Sequence, residues 1–252
     1  MRVLFRKELR GLWRSKRFLI VAAVLFIFGL LGPLSVKYMP VLLSQVPGVP
    51  DGLEGILPDP DVVMAVDEFV QNLSQFGVIL AILVPMAAVV GERDRGTAAM
   101  VLSKPVSRAS FLGAKWLAYA VIFVAGVVLA GLGGYYYLGI LFEWLSPLAY
   151  LALVGLITLY LLMFVTITLF SSTVCRSQPA AGGVSFGILI LMGLLSIIPS
   201  ISSYLPSTIL QWGRALALGQ VHEAAWGSLL TTMAVMGVAW LGSWLTLRSQ
   251  EL

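Results

Sequence analysis

Residues 144–175 read WLSPLAYLALVGLITLYLLMFVTITLFSSTVC, a stretch without one charged side chain. Its apolar residues follow one another instead of alternating with polar ones, so the two-residue period of a barrel strand is absent. About 20 apolar residues carry a helix across the hydrocarbon core of a bilayer, and this stretch exceeds that length. Five further uncharged runs occupy residues 18–36, 69–91, 116–142, 177–213 and 224–247, each able to hold one span. The chain of 252 residues is 59% hydrophobic and 11% charged, whereas a soluble domain carries about a quarter charged residues. The fold class is therefore an all-α integral membrane protein, one transmembrane domain over residues 1–252. Six transmembrane helices are expected at about 18–36, 74–91, 114–142, 146–170, 180–198 and 225–247.

The first run follows the basic residues Arg14, Lys16 and Arg17, as the apolar region of a signal peptide would. It is longer than such regions usually are and no clear A-x-A site follows, so an uncleaved first span is expected. Ahead of it, Phe5, Leu9, Leu12 and Trp13 fall at helical spacing among Arg6, Lys7, Arg10 and Arg14. That pattern predicts an N-terminal amphipathic interfacial helix at 2–17, its apolar side in membrane lipid and its basic side toward headgroups.

Basic residues set the orientation. Fourteen of the 16 Lys and Arg lie in residues 1–17, in residues 93–115, or at Arg176 and Arg248; only Lys37 and Arg214 fall on the opposite side. The protein is thus expected in the cell membrane, multi-pass, with both termini cytoplasmic. The net charge of +4 is a topology signal and gives no case for nucleic acid. The outer loop 37–73 is acidic instead, with Asp51, Glu54, Asp59, Asp61, Asp67 and Glu68. Its Pro- and Gly-rich segment 47–61 predicts irregular chain, and residues 61–75 can form a short helix leading into the second span. Pro85 should kink that span, and Gly131, Gly133 and Gly134 interrupt the third; these four are hinge candidates. Gly126, Ala130 and Gly134, four residues apart, allow close helix approach within one subunit or between two. Pro199 and Pro206 place an outer or re-entrant segment with short helices at 199–224.

Catalytic motifs are weak. Residues 183–187 (GVSFG) match the serine-hydrolase pattern G-x-S-x-G, but they open a membrane helix, and the one histidine, His222, is expected at the opposite face from Ser185. A lone cysteine, Cys175, rules out an internal disulfide or a cysteine-built metal site. No G-x-x-x-x-G-K-[ST] occurs, so there is no P-loop for ATP in this chain. The span centres hold no ionisable residues of the kind proton or ion relays use. No catalytic, cofactor-binding or metal residues are assigned, and energy for any transport should come from another subunit.

The polar island at residues 91–108, GERDRGTAAMVLSKPVSR, is the most informative passage. Glu92, Arg93, Asp94 and Arg95 must leave the hydrocarbon, since each costs roughly 2.5–3.5 kcal/mol at a helix centre. The positive-inside rule accounts for its Arg and Lys but not for the apolar TAAMVL, residues 97–102, which can form a short helix that inserts into a partner's cleft.

Residues 91–115 resemble the first cytoplasmic loop of ATP-binding cassette (ABC) type-2 permeases. Glu92, Gly96 and Thr97 match the family's E-x-x-x-G-T stretch, and Ser103, Lys104, Pro105, Val106, Ser107 and Arg108 match its [SK]-P-[VL]-[ST]-R turn. The six-span layout is similar as well, in the style of the small permeases that serve nitrous-oxide-reductase maturation or sodium and drug export. The resemblance implies two permease chains, as homo- or heterodimer, each docked on a cytoplasmic ABC ATPase subunit that carries ATP and Mg. Loop 91–110 would be the coupling loop, docking through Glu92, Arg93, Asp94, Gly96, Thr97, Met100 and Leu102. A second inner loop around 171–179 would add contacts at Cys175, Arg176 and Gln178. The expected function is the permease subunit of an exporter without catalysis of its own. The alternative is a non-transporting scaffold or conformational relay between an ATPase and an outer-face protein at loop 37–73.

Overall fold

Hydrocarbon offers a backbone amide no hydrogen-bond partner, so a chain of continuous apolar runs must satisfy its amides within helices. The computed structural model describes residues 1–44, 59–94, 96, 107–220 and 223–249. Among these the regular structure is entirely helical: α1 (Arg2–Arg14), α2 (Arg17–Ser44), α3 (Val62–Leu83), α4 (Val90–Asp94), α5 (Arg108–Leu141), α6 (Pro147–Val174), α7 (Gln178–Leu195), α8 (Pro199–Ser202), α9 (Thr208–Ala217) and α10 (Trp226–Ser249). Six of them, α2, α3, α5, α6, α7 and α10, are long and apolar enough to cross a membrane.

Local chemistry sets the ends. The carboxylate of Asp61 accepts from the Met64 amide at 2.7 Å and starts α3. Ser107 and Ser177 cap α5 and α7 in the same way. Lys16, in a left-handed conformation with φ 59°, turns the chain from α1 into α2.

Four helices, α2, α3, α5 and α6, enclose the core, with Phe69, Phe123, Leu153 and Phe164 fully buried. Small residues let backbones meet there. A Cβ added at Gly29 would lie 2.9 Å from Ala130 Cβ, and one at Gly32 would lie 2.8 Å from the Phe69 backbone nitrogen. One at Gly126 would touch Leu25 and Val21 of α2, so the Gly126, Ala130 and Gly134 repeat serves packing inside the subunit. Gly131, Gly133 and Gly134 lie in the unbroken α5, against Val154, against Phe26 and Leu30, and against Phe69 and Tyr150 respectively. α9 packs on the first turns of α6, with Gly213 against Leu153 and Leu156.

Four expectations need correction. The acidic outer loop is shorter than 37–73, because α2 continues to Ser44 and α3 begins at Val62, capped by Asp61; residues 45–58 lie outside the described residues. The second span does not run over 74–91 with a kink at Pro85. Its helix ends at Leu83, and residues 84–89 form turns and bends, since Pro85 lacks the amide that would continue the ladder; Val84 itself keeps helical angles, φ -75° and ψ -43°. The apolar side of α1 is not given wholly to lipid: Leu12 is 5% exposed and Phe5 and Leu9 pack against the buried core, whereas Trp13 is 60% exposed. Finally, α6 runs to Val174 and α7 starts at Gln178, which shortens the second inner loop to 175–177.

Gly32→Ala should lower the midpoint of thermal unfolding in detergent, because the new methyl meets backbone rather than a movable side chain and overpacking costs about 1–3 kcal/mol. Gly187→Ala, with open space around it, should leave the midpoint unchanged or raise it. Equal effects of the two would refute the packing assignment.

Candidate functional site: a polar lock at the basic end

α1, α4, the start of α5, the 175–177 turn and the end of α10 gather at one end of the bundle. The sequence brings a lysine there with nowhere wet to go. Lys115 lies two turns into α5, in the apolar segment FLGAKWLAY, and is 2% exposed. A buried ammonium needs anionic partners, and two helices supply them. Glu8 Oε2 of α1 lies 3.2 Å from Lys115 Nζ, and Glu92 Oε1 of α4 lies 3.0 Å from it. Lys7 joins the rim, 3.3 Å from Glu8 Oε1 and 3.2 Å from Glu92 Oε1. The ring of Phe111 sits under the Lys115 ammonium, 5.0 Å from ring centroid to Nζ. Two ammoniums and two carboxylates thus close into a neutral cluster that ties α1, α4 and α5 together.

Burial alone would raise the Glu92 carboxyl, but Lys115 and then Lys7 outweigh it and hold it below its ordinary range. Burial would likewise lower the Lys7 ammonium, yet Glu8 and Glu92 keep it above its ordinary value.

A second set of bonds secures the break after α3. Pro85 releases the chain from the helix, and the Ala88 amide turns to the Pro85 carbonyl at 2.8 Å. The Val84 carbonyl, left without that amide, accepts from the Arg17 guanidinium at 3.4 Å, which also reaches the Tyr119 hydroxyl at 3.4 Å. The Val89 and Val90 amides both donate to Ser172 Oγ on α6, at 3.0 and 3.2 Å. Arg93 donates to the Cys175 carbonyl just past α6. Arg108, at the start of α5, donates to the Leu247 carbonyl on α10. The stub of the island is therefore held from three directions, by α1, α5 and α6.

The predicted docking residues separate under this geometry. Glu92 and Arg93 turn toward the protein, whereas Asp94 and Gly96 are exposed. Gly96 has φ 67° and its amide donates to the Arg93 carbonyl at 2.9 Å; a side chain there would be strained. Thr97, Met100 and Leu102 lie outside the described residues. Of the second set, Arg176 is exposed, Cys175 and Gln178 are partly buried, and Cys175 is joined to the first set through Arg93. Pro85 lies in the break itself. Ser185 Oγ donates to the Ala181 carbonyl at 2.9 Å within its own helix, so GVSFG forms no elbow; His222 is outside the described residues.

Sequence reading passed over Glu8, Lys115, Arg17 and Ser172. Two signals were available: Glu8 is the one acid among residues 1–17, and Lys115 stands alone inside an apolar segment.

Fold and site together define a polytopic helical membrane protein whose charged contacts concentrate where one short loop leaves the bundle. The model of the ABC-2 family transporter proteins matches residues 2–238. The uncharacterized transmembrane protein YxlG of Bacillus subtilis (strain 168) is 31% identical over 256 residues, covering 97% of this chain and 96% of that protein. The chain belongs to the ABC-2 transporter family.

Lys115→Ala would leave Glu8 and Glu92 with Lys7 as their one shared cation, a loss of up to about 3–5 kcal/mol that should appear as a drop in unfolding midpoint. Because the folded Glu92 carboxyl is held low, its contribution is complete above its ordinary value of 4.5 and fades as pH falls through the folded value. Lys7 contributes fully below its ordinary 10.5 and loses that contribution as pH rises past its folded value. The midpoint difference between wild type and Glu92→Gln should accordingly stay level across neutral pH and shrink below about pH 4. A difference independent of acid would contradict the cluster's charged state.

Proposed function

We propose that this transporter subunit is the permease of an exporter, driven by a separate cytoplasmic ATPase that docks on loop 91–108 and on Arg176 and Gln178. The observation that carries the reading is the three-way fastening of the island stub. Glu92 holds it to Lys115 and through Lys7 and Lys115 to Glu8; Ser172 holds Val89 and Val90; Arg93 holds Cys175. Any push on the exposed part of the island passes to α1, α5 and α6 together, whereas a loop serving topology alone needs no such attachment. A ligand or partner shifts a two-state element only by the difference in its affinity for the two states. Here that element is the bundle gripped by the lock, and the break at 84–89 is the place where α4 can move without bending α3. A second permease chain completes the assembly in this reading, and both termini face the cytoplasm.

Apolar residues of the island are assigned to the ATPase cleft. Met100→Asp with Leu102→Asp should weaken co-purification of a cytoplasmic ABC ATPase while membrane insertion stays normal; unchanged binding would overturn the docking assignment. Glu8→Gln with Lys115→Met, which keeps volume and removes one charge of each sign from the cluster while Lys7 still pairs with Glu92, should preserve ATPase binding but weaken the coupling of hydrolysis to flux in proteoliposomes. ATP turnover that drives no flux even in the wild-type complex would favour a conformational relay instead.

A further inference from the structure

The far end of the bundle holds a cleft that the coupling reading does not use. α2 and α3 touch at Gly32, where an added Cβ would come within 2.8 Å of the Phe69 nitrogen and 3.2 Å of the Glu68 carbonyl carbon. Beyond this contact a cavity of about 280 Å3 opens between the two helices, walled by Met39, Pro40, Pro60 and Met64 and bearing Asp67 and Glu68. Its apolar walls suit a greasy ligand, and methionine adapts to varied shapes.

The two carboxylates differ in one respect. Asp67 is engaged by Arg214 of α9, with Arg214 Nη2 at 2.9 Å from Oδ2. Glu68 is partly buried and has neither a hydrogen bond nor an ion pair among the described residues. The nearest basic side chain along α2, Lys37, points instead toward the Phe142 ring, 5.7 Å from its centroid. A carboxylate accepts and never donates, and in an apolar cleft it gains most from a cation that displaces little water. Asp59 and Asp61 beside the cleft add to the negative field.

We propose that this cleft binds a lipophilic monocation, its charged head against Glu68 and its apolar body along Met39, Met64 and the two prolines. The site belongs to the permease chain itself, and its occupancy does not depend on ATPase docking.

The test uses the full-length chain in nanodiscs of neutral lipid, with hexyltrimethylammonium as the probe in calorimetric titration. Saturable binding is expected, weakened by salt, with hexanol and hexanesulfonate binding at least tenfold more weakly. Glu68→Gln, which keeps the shape, should raise the dissociation constant tenfold or more. Met64→Trp, which fills the cleft and leaves the carboxylate, should abolish binding. Thermal unfolding of both variants checks that each is folded. Equal binding of hexanol, an unchanged constant in Glu68→Gln, or no saturable binding to the folded wild type would overturn the proposal.

Discussion

One buried ammonium governs the basic end of this protein. Lys115 sits where water cannot reach it, and its charge is tolerable because α1 and α4 each place a carboxylate within 3.2 Å. Taking both partners from other helices makes α1 part of the bundle and fixes the first turn of the island. Phe5, Leu9 and Leu12 of α1 then pack on protein, and Arg17 and Ser172 fall where the free amides and carbonyl of the break need them. An apolar residue at 115 would serve packing as well, and buried pairs are seldom kept for stability alone. The charge is better understood as a way of joining three elements at one point.

Much of the fold was legible because membrane helices leave a coarse signature. Charges bound the apolar runs, and the six long helices follow from that alone. The ends were less legible. Val62 starts α3 twelve residues ahead of the expected span start at 74, merging the short helix expected over 61–75 with the span, because a carboxylate cap and a distant arginine, Arg214, make the acidic turn acceptable. Pro85 was visible, but whether a proline kinks a helix or ends it depends on side chains elsewhere that can take over the released backbone groups. Here Arg17 and Ser172 do so, and nothing near Pro85 in sequence announces them.

The site was half legible. The island stood out because charges between two spans are costly, and Gly96 marked its turn. Its attachment to the rest did not stand out, since Glu8 and Lys115 lie 107 residues apart and neither one's odd local setting names the other as its partner. The amphipathic pattern of α1 showed which side is apolar but not whether lipid or protein covers it, because both present the same chemistry to Phe5 and Leu9.

Ser172 has a consequence for biosynthesis. The amides of Val89 and Val90 and the side chain that satisfies them are 83 and 82 residues apart, and Asp67 waits 147 residues for Arg214. A ribosome delivers α3 well before either partner exists. The second span therefore enters the bilayer with unmet polar groups at both ends, held at the water boundary until the later helices arrive. The polar ends of α3 are thus completed only by later parts of the chain, and truncation before residue 172 should leave a span that inserts but never settles.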